Sequence, residues 1–250
     1  MKFLIIVTGF NCAWNVRRCY QSLYDQTYQN WRAIFISDGS RDRTPHEMVK
    51  IHDNKVQTII SPVNMGATYQ RWRAISQSGE DDETIIALLG MDDHLFSNAL
   101  EVVSKQYDKG KWMTYGNWIN QNGVGLPCSF DLNFSKKIHR ERAYRSDVYR
   151  STALNTFKKF LFDQIPVKDF QIDRKWITTT TESEVMFSCL EMSGKKRIGI
   201  IHEPIYHYNQ NLRNGTIKRL GAGYKKEIFN KIKARPKKDL LVRKGHHESV

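Results

Sequence analysis

Short apolar runs alternate with segments of helical periodicity through the first half of the chain, and this order constrains the fold more than any other feature. Continuous apolar runs such as KFLIIVTGF and ETIIALLG are typical of strands buried on both faces of a parallel sheet. The intervening NVRRCYQSLYDQT has apolar residues at helical spacing after Asn15, a suitable N-cap. The βαβαβαβαβ order predicts an α/β fold with a doubly wound, mostly parallel sheet and helices on both faces.

Composition and cysteine spacing exclude several other classes. With 40% hydrophobic residues, the sequence is that of a folded globular chain. No apolar run approaches the roughly 20 residues that span a bilayer. The four cysteines are scattered and form no C-x-x-C pair, so neither a zinc site nor a disulfide framework is expected, and a cytoplasmic location fits.

The net charge of +13 is concentrated near the C-terminus, where residues 194–250 hold 15 Lys and Arg against 4 Asp and Glu. A basic surface suits a polyanion such as DNA or an acidic glycan, or an anionic membrane. The segment YKKEIFNKIKARPKK is predicted to be a basic amphipathic helix, which favours peripheral contact with a membrane. A solvated basic tail is the alternative.

Polar residues follow the ends of three predicted strands, at Thr8–Asn11, Asp38–Asp42 and the pair Asp92 and Asp93. The carboxyl ends of parallel strands meet at one edge of a sheet, where ligands bind. Adjacent carboxylates repel each other unless a cation, a proton or a ligand is shared between them. The chain contains neither a G-x-G-x-x-G nor a P-loop motif that would explain this acidic edge.

The order of these motifs resembles the family 2 glycosyltransferases, which have the GT-A fold. The resemblance covers most of the chain, is strongest over residues 3–118, and is carried by VTGFN, SLYDQTYQNW, SDGSRDRT, NMG and GMDD. Ser37 and Gly90 depart from it, because the family often has Asp at both positions. The resemblance implies an inverting enzyme that transfers a sugar from a nucleotide sugar, usually UDP-linked, to an acceptor hydroxyl by direct displacement.

The same resemblance implies a division of the chain into three parts. Residues 1–118 would form the nucleotide-sugar-binding half of the domain, and residues 119–220 its acceptor and catalytic half. Residues 221–250 would form a basic amphipathic tail, so that the fold ends in an extension on the acceptor side.

A divalent cation, Mn²⁺ or Mg²⁺, would neutralise the diphosphate of the donor, and carboxylates are its preferred protein ligands. By family position, Asp93 is the expected direct ligand, and Asp92 would hold the ribose hydroxyls or a metal-bound water. His207 or His202, both in the segment HEPIYHYN, is a candidate third ligand, although a packed or surface histidine is the alternative. Asp92 and Asp93 could instead be ordinary acids before a helix.

Four further residues are expected around the nucleotide. By family position, Thr8 and Phe10 would flank the base, and Asp38 would accept a hydrogen bond from the uracil N3–H. Of Arg71 and Arg73, in the predicted helix after NMG, one would reach the diphosphate and the other would face solvent; Arg71 is the candidate chosen. For Asp38, the alternative is an ordinary Asp-Gly turn.

The general base of the implied reaction is expected near the start of a later helix. Glu182 is the leading candidate and Glu184 the alternate, because the register of the resemblance allows both. Each could also be an acid that only complements the helix N-terminus.

The acceptor stays open between two classes. A hydroxymethylated base in phage-type DNA would contact the basic residues through its phosphates and would have to be flipped out of the stack. A cell-surface or lipid-linked glycan is the rival. A non-catalytic nucleic-acid-binding protein on a degenerate GT-A fold is a third hypothesis, against which the retained Asp38, Asp92 and Asp93 argue.

Overall fold

Eight strands form the central sheet within the residues that the computed structural model describes, namely 1–126, 130–209 and 216–243. Numbered along the chain, the strands are β1 (Phe3–Gly9), β2 (Trp31–Asp38), β3 (Val56–Ser61), β4 (Ile85–Gly90), β5 (His94–Leu95), β6 (Met113–Asn120), β7 (Asn155–Lys158) and β10 (Ile198–Tyr208). A separate antiparallel pair is formed by β8 (Gln171–Ile172) and β9 (Lys175–Trp176).

The order across the sheet is β3-β2-β1-β4-β7-β6-β10-β5. Strands β1 to β4 are parallel to their neighbours in this group, and β6 is parallel to β10. Among these eight strands, β5 and β7 run antiparallel to the strands beside them. The predicted mostly parallel sheet is therefore confirmed.

Helices cover both faces of this sheet. They are α1 (Val16–Tyr24), α2 (Thr44–Met48), α3 (Ala67–Ser76), α4 (Ala99–Asp108), α5 (Lys136–Glu141), α6 (Lys159–Asp163), α7 (Ser183–Ser193) and α8 (Thr216–Lys233), the last interrupted by non-helical backbone at Gly221. Within the described ranges, no helix is long and apolar enough to cross a membrane.

Side chains of β1 alternate between two hydrophobic cores, which explains why its sequence is apolar throughout. Leu4 and Ile6 pack on the face covered by α3, α6, α7 and α8. Ile5 and Val7 pack on the opposite face, against α1 and α4. A strand buried on both faces needs no polar positions, as expected for a central strand of a doubly wound sheet.

The segment STALNTFKKFLF is not the single helix that its periodicity suggests. Its middle forms β7, paired with β4 on one side and β6 on the other, and the short α6 follows directly. The Thr156 hydroxyl lies 2.8 Å from Tyr107 Oη and 2.7 Å from Thr114 Oγ1, so polar contacts also hold the strand. Pairing on both edges outweighs the local helical pattern.

The predicted basic amphipathic helix is present as the second part of α8, but all its predicted apolar side chains except the exposed Tyr224 pack against the protein. Ile228 and Ile232 are buried, and the Phe229 ring contacts the rings of Phe187 and Tyr149 at 6.1 and 5.8 Å. These side chains are therefore not exposed for contact with a membrane. The expectation that this apolar face lies on a membrane is replaced by packing against α7.

The turn after β2 packs tightly against the segment that leads into α3. Gly39 has φ +68°, and a Cβ added there would lie 2.3 Å from the backbone nitrogen of Asn64. Both the left-handed backbone and the close approach require glycine at this position. The turn and the start of α3 are thereby fixed relative to each other.

Replacing Gly39 with alanine is expected to lower the free energy of unfolding by at least about 3 kcal/mol, because backbone strain and a steric clash act together. Gly110→Ala is the matched control, since Gly110 also has a positive φ, +76°, but an added Cβ meets no atom within 4 Å. That control should lose about 1 to 2 kcal/mol. Equal losses in urea unfolding would show that the close approach to Asn64 does not constrain the turn.

Candidate active site

Two carboxylates converge at the end of β4. A Cβ added at Gly90 would lie 2.7 Å from Asp92 Oδ1 and 2.8 Å from Asp93 Oδ2. Both side chains therefore fold back over Gly90, and a larger residue there would displace them. This accounts for glycine at position 90, where the family that the chain resembles often has an acid.

Asp93 is held by two donors from β10 and the residue that follows it. The Tyr206 hydroxyl donates to Oδ2 at 2.5 Å, and the Asn209 backbone N–H donates to Oδ1 at 2.7 Å. The residue is 6% exposed. Burial, and next the negative charge of Asp92, raise the pKa of Asp93 to about 8. In the absence of a cation, one of the two crowded acids thus tends to keep its proton.

Asp92 lies within reach of the positive charge of Arg71. Burial raises the pKa of Asp92, and the positive charge of Arg71 opposes that effect. Arg71 itself donates from one terminal nitrogen to Thr181 Oγ1 at 2.8 Å and to Glu182 Oε1 at 2.5 Å. Its Nε is buried and has no hydrogen-bond partner among the described residues. Arg71 therefore links the acid pair of the first half of the chain to Glu182 in the second half.

Glu182 directly precedes α7 and remains open on one side, because 34% of its side chain is exposed. Desolvation would raise its pKa, but the charge and the hydrogen bond of Arg71 outweigh it and hold the pKa below the ordinary value. The charge of Glu182 in turn contributes to the raised pKa values of Asp92 and Asp93. The three acids therefore belong to one electrostatic site.

Glu184 lies elsewhere, in a buried ion cluster. Its side chain is 1% exposed. Arg145 donates to both of its oxygens at 3.1 Å, Arg235 donates at 2.9 Å, and the Ser188 hydroxyl donates at 2.9 Å. Arg145 also binds Glu191. With its oxygens occupied and no access to solvent, Glu184 does not have the geometry of a general base.

The carboxylate of Asp38 fixes the start of α3. Oδ1 accepts from the Met65 N–H at 2.9 Å and from the Gln70 side chain at 2.7 Å, and Oδ2 accepts from the Gly66 N–H at 2.8 Å. The residue is 4% exposed. Both oxygens of the Asp38 carboxylate already accept hydrogen bonds, so a uracil N3–H would have to share one of them. The observed role of Asp38 is to hold the loop before α3.

Thr8 and Phe10 occupy the end of β1, between β2 and β4. Thr8 is paired with Ile36 on one side and Gly90 on the other, and its carbonyl accepts from the Met91 N–H at 2.9 Å. Phe10 is half-buried just beyond the strand. Both residues therefore lie at the same edge as the acid pair, as predicted.

His207 is not brought together with the acid pair. Its ring stacks on His94 and Phe96, with centroids 4.2 and 4.3 Å apart. Burial and the charge of Arg18 lower its pKa. In the described part of the chain, no group of three His, Cys, Asp or Glu side chains is arranged to hold a metal ion.

Tyr206 and Asn209 were missed by the sequence reasoning, which considered only the histidines of HEPIYHYN. Tyr206 precedes His207 and therefore points to the other face of β10. The alternation of residues in this strand was the available signal. The backbone contact of Asn209 leaves no signal in the sequence.

One protein family and several individual proteins resemble this chain. The family model described as glycosyl transferase family 2 matches residues 4–169. The Escherichia coli UDP-Glc:α-D-GlcNAc-diphosphoundecaprenol β-1,3-glucosyltransferase WfgD is 27% identical over 123 residues, which is 48% of this chain and 47% of that protein. The chain thus spans about half of that relative's length.

Two solved structures share the fold. Staphylococcus aureus TarS 1–349 in complex with UDP-GlcNAc has a TM-score of 0.68 at 17% identity, covering 93% of this chain and 65% of that one. Glucosyl-3-phosphoglycerate synthase from Mycobacterium tuberculosis, with Mn²⁺, UDP and glucosyl-3-phosphoglycerate, has a TM-score of 0.58 at 12% identity, covering 94% and 81%. At these identities the likeness shows the fold alone, and it confirms the expected GT-A architecture.

Glu184→Gln is expected to lower the free energy of unfolding by about 3 to 5 kcal/mol, because it leaves the buried Arg145 and the partly buried Arg235 short of their counter-charge. Glu101→Gln is the control, since Glu101 pairs with Lys105 at 2.9 Å on the surface of α4, and it should unfold close to wild type. Chemical denaturation measures both. A Glu184→Gln protein as stable as the control would contradict the structural role.

Proposed function

The chain belongs to glycosyl transferase family 2, and we propose that it is an inverting glycosyltransferase that moves a sugar from a UDP-sugar to a hydroxyl of a glycan. The observation that carries this proposal is the convergence of the Asp92 and Asp93 oxygens over Gly90, at the ligand edge of the sheet, with Glu182 bound to Arg71 and its charge raising the pKa of both acids. Two carboxylates suited to a cation and a third suited to proton transfer are the groups that such a reaction requires.

We assign a divalent cation, Mn²⁺ or Mg²⁺, to Asp93 and Asp92. Their oxygens converge over Gly90, and hard oxygen ligands from one or two carboxylates are what such ions usually take from a protein that also binds phosphate. The Mn²⁺ and UDP in the M. tuberculosis structure support this assignment. When bound, the ion would offset the negative charge of the leaving diphosphate. His207 is left out, because its ring is stacked away from the pair.

In the proposed reaction, the acceptor oxygen forms a bond to the anomeric carbon as the bond from that carbon to the UDP oxygen breaks. Glu182 takes the proton of the acceptor hydroxyl, and UDP leaves with the bonding electron pair. Displacement from the side opposite the leaving group inverts the anomeric configuration.

Arg71 links donor binding to the strength of the base. In the structure its guanidinium pairs with Glu182 and holds the pKa of that acid down, which makes Glu182 a weak base. A diphosphate beside Arg71 would compete with Glu182 for the guanidinium. Donor binding would thereby raise the pKa of Glu182 toward the range useful for proton transfer.

A glycan acceptor is favoured over a DNA base. The E. coli relative is named for a lipid-linked N-acetylglucosamine acceptor. The basic residues within 194–250 suit the diphosphate of such an acceptor as well as they suit DNA. A cytoplasmic location is supported by Cys12, Cys19 and Cys189, which are free thiols.

A screen of nucleotide sugars against glycans and hydroxymethylated duplex DNA, with Mn²⁺ and mass-spectrometric detection, tests this function. We expect consumption of a UDP-hexose and a glycan one sugar heavier. Transfer to the DNA would replace the proposed acceptor and keep the enzyme. Failure to bind UDP, together with failure to hydrolyse or transfer any nucleotide sugar, would overturn the function.

Asp93→Asn is expected to abolish the Mn²⁺-dependent part of UDP binding, because the neutral amide is a poor ligand for a hard cation. The amide oxygen can still accept a hydrogen bond at this position, so the fold should be retained. Calorimetric titration with UDP, with and without Mn²⁺, measures the change. Asp25→Ala, on an exposed residue after α1, is the control, and equal Mn²⁺ dependence in both variants would refute the metal role of Asp93.

Glu182→Gln is expected to retain UDP binding and to reduce sugar transfer about 10²- to 10⁴-fold, since the amide cannot accept the acceptor proton. Glutamine can still accept the hydrogen bond of Arg71, so the site should keep its shape. The initial rate of transfer measures the effect. The control is Glu203→Gln, an exposed acid on β10, and a Glu182→Gln rate equal to this control would exclude Glu182 as the base.

A further inference from the structure

An aromatic pair that none of the preceding roles uses lies beside the acidic site. Trp118, on β6, and Tyr208, the last residue of β10, meet edge to face, with ring centroids 5.2 Å apart and an interplanar angle of 63°. Tyr208 is 37% exposed and Trp118 is partly exposed. Large aromatic surfaces left at the mouth of a site are candidates for ligand contact.

The strand register places this pair next to Asp93. Trp118 is paired with Tyr206 across β6 and β10, and Tyr208 follows Tyr206 by two residues. All three side chains therefore point to the same face of the sheet. Because the Tyr206 hydroxyl donates to Asp93, the exposed pair begins one side chain away from the acid pair.

The electrostatics of Tyr208 are consistent with this placement. Burial raises the pKa of Tyr208, and the charges of Asp93, Asp92 and Glu182 raise it further. The phenol therefore faces the same three acids that the proposed reaction uses. Neither Trp118 nor Tyr208 is a ligand or a base in that reaction.

Trp118 and Tyr208 lie on the side of Asp92 and Asp93 that is opposite to the expected nucleotide site. Thr8, Phe10 and Asp38 lie at the ends of β1 and β2, on one side of β4. Trp118 and Tyr208 lie on β6 and β10, on the other side of β4. A donor that extends from β1 and β2 would end at the acid pair, which leaves the aromatic rings on the far side of the acids to the acceptor.

Asn117 holds the platform in place. Its Oδ1 accepts the Trp118 backbone N–H at 2.8 Å, and its side-chain amide donates to the His202 carbonyl at 3.0 Å. One side chain thus ties β6 to β10 where the register between them shifts. A contact surface fixed in advance loses little freedom on binding.

A hexopyranose ring has an apolar C–H face and hydroxyl groups around its rim, which match an aromatic face bordered by polar groups. We propose that Trp118 and Tyr208 form the stacking platform for the acceptor sugar, a hexopyranose that presents one hydroxyl to Glu182. This inference rests on the proposed function and names the class of acceptor at the same site. A nucleobase also stacks on aromatic rings, but Thr8 and Phe10, the residues expected to flank the nucleobase of the donor, lie on the opposite side of β4.

Saturation-transfer NMR with methyl glycosides of glucose, galactose, N-acetylglucosamine and N-acetylgalactosamine, in the presence of UDP and Mg²⁺, tests the platform. We expect saturation of the ring C–H protons of at least one glycoside. Trp118→Leu and Tyr208→Leu should each raise its Kd about tenfold, because the aromatic face is lost. Tyr208→Phe, which keeps the ring, should stay within about twofold of wild type.

Tyr24→Leu is the matched control, because Tyr24 is a 59% exposed tyrosine at the end of α1. If no glycoside shows saturation transfer from the wild-type protein, or if Trp118→Leu and the control bind the glycoside equally well, the platform is overturned. In kinetic assays, Trp118→Leu and Tyr208→Leu should each raise the KM for the acceptor, while kcat and the Kd for UDP stay close to those of the wild type. If the wild type transfers sugar and the variants keep its acceptor KM, the platform fails while the enzyme stands. If the wild type neither binds UDP nor turns over a nucleotide sugar, the proposed function itself fails.

Discussion

One guanidinium, that of Arg71, joins the two halves of this chain at the point where their charges meet. It comes from α3, binds Glu182 before α7, and opposes with its charge the raised pKa of Asp92 after β4. Without this positive charge, three carboxylates would share one enclosed site and repel each other. The placement of α3 and α7 against the sheet therefore has an electrostatic requirement as well as a hydrophobic one.

Two acids that are neighbours in sequence have opposite roles because the start of a helix directs them differently. Glu184 points into the protein, where Arg145 and Arg235 hold it, and this anchors the first turn of α7. Glu182, just before that turn, stays partly exposed beside Arg71. The buried pairing of Glu184 fixes the first turn of α7 and thereby the position of Glu182, so rigidity and reactivity are divided between two acids that are two residues apart.

The sequence predicts the acidic edge because its signals are local. An apolar run followed by Asp92 and Asp93 marks a buried strand that ends at the ligand edge, and the parallel order brings Thr8 and Asp38 to the same edge. Strand β7 could not be predicted in this way, since its conformation depends on pairing with strands about 45 and 70 residues away. The contact of Tyr206 with Asp93 joins residues 113 positions apart and has no local pattern.

The interstrand hydrogen bonds of the sheet also fix the distance between the two ends of the site, measured along the sheet. Asp38 lies at the end of β2 and Tyr208 at the end of β10, and the order β2-β1-β4-β7-β6-β10 separates them by five spacings. At about 4.8 Å per spacing, this is about 24 Å along the sheet. The backbone fixes that length, so changes of side chain can alter what binds at either end while the distance between the two ends stays the same.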